Sequence, residues 1–137
     1  MILVDTGPLI ALFDPRDALH DRCKRTLETV RARLLTTVPV LTEAFHILSP
    51  ASIGSDRLRD FVALGGLGVW YLDSGTLERA FELMERYADH PMDLADASLL
   101  VAAESVSTRR IFTTDRRDFS AYRIRRGHRH YAVEIVL

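Results

Sequence analysis

The 137-residue chain contains one cysteine, Cys23, and one lysine, Lys24. A lone cysteine excludes an internal disulfide and any zinc site built on two or more thiolates, so a reducing compartment is expected. Long apolar runs are missing too. Met1-Ile2-Leu3-Val4 stops at Asp5, and the run from Pro8 to Phe13 stops at Asp14-Pro15. Both fall far short of the ~18 residues a membrane span requires. No basic segment precedes either run, so no cleaved leader is expected, and cytoplasmic residence away from membranes is. Repeats, low-complexity tracts and linkers are absent as well.

What remains suits one packed domain spanning 1–137. The chain is 47% hydrophobic and 27% charged, which excludes a disordered composition. Its net charge of -1 conceals segregation. Residues 109–130 carry eight arginines against Asp115 and Asp118, whereas residues 78–104 are acidic apart from Arg79 and Arg86. Guanidinium forks match phosphate geometry better than a point charge does, so the basic segment is a candidate phosphate contact. Solvated charge runs have the same composition, and that reading stays open.

Short apolar segments alternate with helical patterns. Strands are expected at Ile2–Val4, Leu34–Thr37, Val69–Leu72, Arg110–Thr114 and Tyr131–Val136. Helices are expected from Thr6 to Phe13, Ala18 to Arg31, Pro39 to Leu48, Ser52 to Leu64, Ser74 to about Ala88 and Asp93 to Ser105. In the helix from Ser74, Leu77, Phe81, Met84 and Ala88 form the expected apolar stripe. Buried strands joined by helices predict an α/β fold with a mostly parallel sheet covered on both faces. In such sheets ligands bind beyond the carboxyl ends of the strands.

Two acids stand there: Asp5 follows the first strand and Asp115 follows Thr113-Thr114. Either could simply cap a helix or turn. Asp96 shares a helix face with Leu99, Leu100 and Ala103, and a buried carboxylate persists only if paired, hydrogen-bonded or metal-bound. Glu43 has the same relation to Val40 and Ile47. Converging carboxylates cannot all ionise without an offsetting charge, and hard divalent cations such as Mg²⁺ or Mn²⁺ suit oxygen donors. Such sites typically handle phosphate esters.

Met1-Ile2-Leu3-Val4-Asp5-Thr6-Gly7-Pro8-Leu9-Ile10-Ala11-Leu12 resembles the opening of a PIN domain. Thr42-Glu43, the segment Asp93-Leu94-Ala95-Asp96-Ala97-Ser98-Leu99, and Ile111-Phe112-Thr113-Thr114-Asp115-Arg116-Arg117-Asp118-Phe119 resemble its later motifs in order. The compact form is similar to the VapC-type toxins of VapBC toxin–antitoxin systems. The resemblance implies a PIN-like three-layer fold with a sheet of four to five strands. It implies a Mg²⁺-dependent (alternatively Mn²⁺-dependent) endoribonuclease that leaves 5′-phosphate and 3′-hydroxyl ends.

Carried over by residue, the catalytic and metal-binding acids are Asp5, Glu43, Asp96 and Asp115. Asp5 and Asp96 are the principal ligands, and Glu43 and Asp115 complete the site directly or through water. Thr6 and Thr114 support the carboxylates as hydroxyl donors. Asp93 is a helix N-terminal acid, and Asp118 a turn or cap. Arg116, Arg117, Arg123, Arg125 and Arg126 are candidates for guiding RNA. The resemblance also implies a homodimer and a small antitoxin partner.

Other features carry less. The five histidines form no zinc motif. Cys23, Trp70 and Tyr71 read as core. Gly65-Gly66-Leu67-Gly68 precedes a strand rather than opening a helix, so it makes no nucleotide cradle. A receiver-type phosphoacceptor domain would need a lysine at the strand ends, and Lys24 lies mid-helix. The rival that remains is a non-catalytic RNA- or protein-binding module of the same fold with a structural ion.

Overall fold

The computed structural model describes all 137 residues. Five parallel strands form the central sheet: β1 (Ile2–Val4), β2 (Leu34–Thr37), β3 (Gly68–Trp70), β4 (Arg110–Phe112) and β7 (Glu134–Val136). Their order is β3-β2-β1-β4-β7. The chain therefore winds outward from β1 through β2 to β3, then crosses back to place β4 and β7 on the other side. β1 and β2 are buried along their whole length, as strands covered on both faces must be.

The helices are α1 (Thr6–Phe13), α2 (His20–Thr29), α3 (Val38–Leu48), α4 (Ile53–Ala63), α5 (Ser74–Arg86), α6 (Leu94–Val106) and α7 (Arg116–Ala121). α6 is the central one. Every residue from Ala97 to Ala103 is buried, and its alanines let it lie close to the sheet. Asp93 caps its N-terminus, accepting the Asp96 N–H at 2.8 Å, and Ser107 ends it in the left-handed conformation at φ 57°. Behind it, Thr37 Oγ1 and Ser98 Oγ share a buried hydrogen bond of 2.6 Å, tying the end of β2 to the first turns of α6.

The C-terminal third departs from expectation. A short helix, α7, follows Asp115 where no helix was expected and Asp118 was read as a turn or cap; Asp115 accepts the Asp118 N–H at 3.0 Å and caps it. The single strand expected over 131–136 is two. β5 (Arg123–Arg126) and β6 (Arg129–Ala132) pair antiparallel as a separate ribbon, with Gly127 at φ 61° in the turn. The chain changes sheet at Val133, and β7 then pairs with β4. β4 stops at Phe112, leaving Thr113 and Thr114 beyond the strand end.

Two smaller corrections concern faces. On α5, Ala80 and Leu83 are buried while Phe81 is exposed, so the inward stripe is rotated from the one expected. Tyr71 is exposed beyond the end of β3, whereas Trp70 packs against the core. Cys23 is buried, as expected.

Candidate active site

The winding direction reverses between β1 and β4, and at that switch point an α/β sheet opens a crevice. Asp5 leaves β1 there, its N–H bonded to the Phe112 carbonyl of β4 at 2.9 Å. A cleft of about 460 Å³ lies over this edge. Its walls carry Asp5, Asp17, Glu43, Asp93, Asp96, Asp115 and Asp118, and no lysine, arginine or histidine. The four acids singled out in the sequence thus line one cavity, joined by Asp17, Asp93 and Asp118.

Asp5 is both a cap and a site residue. One carboxylate oxygen accepts the Thr6 N–H at 2.8 Å at the start of α1, and the other accepts the Thr113 hydroxyl at 2.8 Å. Burial is the main reason its pKa rises to about 6; the two hydrogen bonds oppose this, and Glu43 and Asp93 add repulsion. Asp96 is half-buried in the first turn of α6, and its pKa rises further, to about 8. Burial again leads, followed by the charges of Asp5 and Asp93. The Tyr122 hydroxyl donates to Asp96 Oδ2 at 3.0 Å and partly offsets the rise. That Tyr122 proton is in turn held more tightly, through burial and the adjacent carboxylate.

The supporting hydroxyls differ from those expected. Thr113, not Thr6 or Thr114, bonds to a carboxylate. Its Oγ1 donates to Asp5 and accepts the Asp115 N–H at 3.0 Å, so one hydroxyl links two site acids. Thr6 Oγ1 is buried without a hydrogen-bond partner. Thr114 lines the cleft with its hydroxyl packed against Gly7, where any β-carbon would collide with it. Glu43 lies on α3 between buried Val40 and exposed Ile47, so this helix face runs from core to cleft. Asp118, in the first turn of α7, is pushed upward by burial and by Asp115.

Thr113 and Tyr122 are the positioning residues that sequence reasoning missed. Thr113 sat inside the quoted motif, but strand alternation could not tell which of two adjacent threonines faces Asp5. Tyr122 carried no local signal, because its partner lies 26 positions away.

The donor set is suited to a hard cation. All candidate ligands are oxygens, two carboxylates are held out of their ordinary ionisation range, no cation of the chain enters the cleft, and one buried hydroxyl lacks a partner. No three acids close into a shell on their own. An ion of the Mg²⁺ type does not require such a shell, since it keeps several waters and takes only one or two carboxylates directly. The expected arginines divide into two groups. Arg116 and Arg117 open α7 beside Asp115, while Arg123, Arg125 and Arg126 lie on the β5–β6 ribbon, outside the cleft lining.

The family model described as PIN domain matches residues 2–125. The chain is 30% identical over 126 residues to ribonuclease VapC26 of Mycobacterium tuberculosis, covering 89% of this chain and 92% of that protein. Among solved structures, the fold is similar to M. tuberculosis VapC20, described as a sarcin–ricin loop cleaving toxin. That match has a TM-score of 0.81 and 20% identity, covering 88% of this chain and 95% of the other. A toxin–antitoxin complex from Klebsiella pneumoniae also matches, with a TM-score of 0.68 and 23% identity, covering 88% and 91% of the two chains.

Proposed function

Because the chain belongs to the PIN domain family, we propose that it is a metal-dependent endoribonuclease and the toxin of a type II toxin–antitoxin pair. One observation carries the chemistry: Asp5 and Asp96 face a cleft lined by seven acids and no basic residue, with pKa values raised to about 6 and about 8. Asp5 and Asp96 would hold Mg²⁺ or Mn²⁺, with Glu43 and Asp115 acting directly or through water. When bound, the ion lowers the pKa of a water and offsets charge developing on the scissile phosphate. The chain's own contribution is orientation. Thr113 and the Thr6 N–H fix both oxygens of Asp5, Tyr122 fixes one oxygen of Asp96, and Asp93 anchors the helix turn that carries it. Arg117, at the start of α7 beside Asp115, and Arg116, whose guanidinium donates to the Leu137 carbonyl at 2.9 Å, are the basic residues proposed to guide a phosphate chain toward the cleft.

The rival reading is a binding module with a structural ion; the 30% identity to a ribonuclease over most of both chains supports the nuclease instead. For partners we propose a small antitoxin, in line with the toxin–antitoxin complex that shares the fold, and a homodimer, which light scattering tests. The decisive experiment is cleavage of a pool of structured RNAs with Mg²⁺ or Mn²⁺, with EDTA and Asp96→Asn as controls. Metal-dependent cuts with 5′-phosphate ends, absent from the variant, are expected. No cleavage together with no calorimetric binding of Mn²⁺ would overturn the reading.

A further inference from the structure

An acidic cleft repels the phosphodiester it is to cut, so affinity for RNA must come from elsewhere on a chain whose net charge is only -1. The β5–β6 ribbon is where cations are left unspent. Arg126 stands opposite Arg129 across the ladder, and Arg125 opposite His130. The Arg126–Arg129 pair sets like charges directly opposite one another, which destabilises a strand pair. None of the ribbon's four arginines forms an ion pair with any carboxylate of the chain.

The ribbon is nevertheless firmly built. Ile124 is fully buried and Tyr131 half-buried on its inner face. The Arg109 guanidinium lies over the Tyr131 ring at 5.2 Å and donates to the Ala132 carbonyl at 3.1 Å, adding a further cation at its edge. Its root is Tyr122, the residue bonded to Asp96. From there β5 runs along α6, so that the Arg125 N–H reaches Glu104 at 3.4 Å. The turn at Gly127 lies ~16 Å from Tyr122 at ~3.3 Å per strand residue.

We infer that this ribbon is an RNA-docking arm that grips backbone phosphates remote from the scissile one. The inference rests on the ribonuclease reading and adds where substrate affinity comes from and how large the substrate must be. RNA is favoured over an acidic protein or a membrane for two reasons. Guanidinium forks pair with carboxylates as readily as with phosphates, but the ribonuclease reading brings a phosphodiester chain to this molecule. Arg123, Arg125, His130 and Ala132 on the outer face, and exposed Arg126 and Arg129 at the tip of the face that carries Ile124 and Tyr131, present no large apolar side chain to anchor a protein or enter a bilayer. A substrate confined to the cleft leaves the arm unused, so the RNA extends at least ~16 Å from the cut.

The test is fluorescence anisotropy of a labelled stem-loop RNA in EDTA, over a salt series, with wild type and Arg125→Gln/Arg126→Gln/Arg129→Gln. Each lost phosphate contact removes ~0.7–0.9 from the slope of log K against log salt, so the triple variant should lose about 2. Circular dichroism verifies that the variant is folded, and Arg→Lys at the same positions should retain most of the slope. An unchanged slope in a folded variant overturns the proposal. So does a loss of binding to polyglutamate with RNA binding intact, which would assign the arm to an acidic polypeptide. Binding in EDTA is separate from cleavage. Hairpin-dependent RNA binding without metal-dependent cuts would leave the arm standing and remove the nuclease reading; cleavage with an unchanged slope would do the reverse.

Discussion

Tyr122 donates its phenolic proton to Asp96 Oδ2 at 3.0 Å, from a side chain fully buried between Tyr87 and Phe119 at ring distances of 5.1 Å each. A carboxylate on a helix can rotate about its side-chain bonds. This one is held by a ring that two neighbours lock in edge-to-face packing. The hydrogen bond also favours the ionised carboxylate that a cation needs.

Tyr122→Phe should therefore keep the fold and weaken the metal site. Loss of a partner that orients a ligand typically costs ~10–100-fold in metal affinity. Calorimetric titration with Mn²⁺ reads this directly. An affinity equal to wild type would mean that Asp96 needs no such support.

The fold was legible for the elements whose instructions are local. Asp5 and Pro8 mark the start of α1, Asp73 opens α5 with a reciprocal capping box, and the apolar triplet of β1 and the Ile111-Phe112 pair of β4 carry β-favouring residues. The β5–β6 ribbon was not legible, because its residues are mostly arginine and histidine and show no hydrophobic alternation. Only Ile124 and Tyr131 face inward, and the strand that carries Ile124 packs on α6, which is distant in sequence. The acids of the site could be read because each departs from an apolar pattern. Thr113 and Tyr122 conform to theirs, so nothing in the chain marked them.

The raised pKa values of Asp5 and Asp96 make stability depend on pH in a defined direction. Between the ordinary carboxylate range and about 8, the folded state holds protons that the unfolded chain has released. Stability from these groups is thus complete at low pH and is lost as pH rises through about 6 and then about 8. Thermal melts in EDTA should show Tm falling over this range by several degrees, since ~1 kcal/mol moves Tm by roughly 4 °C. Asp96→Asn should flatten the upper part of the decline and raise Tm at alkaline pH while removing activity. A melt in which Asp96→Asn and wild type fall in parallel would contradict the assignment.

The same protons compete with metal. From about 6 to about 8, Asp5 is ionised and Asp96 still holds its proton, so binding an ion at Asp96 releases one proton. Mn²⁺ affinity should rise about tenfold per pH unit over that interval and level off above it. Titrations in buffers of different ionisation enthalpy count the released proton. A pH-independent affinity would place the ion away from Asp96.

Gly7 and Thr114 form a contact that admits no β-carbon. Gly7→Ala would gain helix propensity of ~1 kcal/mol in α1, yet it must push Thr114 away, and Thr114 adjoins Asp115. Overpacking of this kind costs ~1–3 kcal/mol. Cleavage should fall with stability, and Thr114→Ala in the same background should recover part of both by removing the colliding hydroxyl. Denaturant unfolding of the single and double variants measures the coupling; purely additive effects would show that the contact is unimportant.

Arg79 and Glu104 form a two-pronged ion pair of 3.1 and 2.9 Å between α5 and α6, with side chains only 15% and 12% exposed. The pair is a cost as much as a bond, because both charges are largely removed from water. Glu104→Gln should destabilise by ~1.5–3 kcal/mol, because the amide keeps one acceptor oxygen for the guanidinium and Glu82 still pairs with it. Arg79→Met/Glu104→Leu, which removes both charges, should restore most of that loss. Glu104 also receives the Arg125 N–H, so the double variant frees the middle of the ribbon from α6. Hydrogen exchange at Arg125 should then accelerate even where global stability is recovered. That separation would show that one carboxylate both ties two core helices together and moors the basic arm beside them.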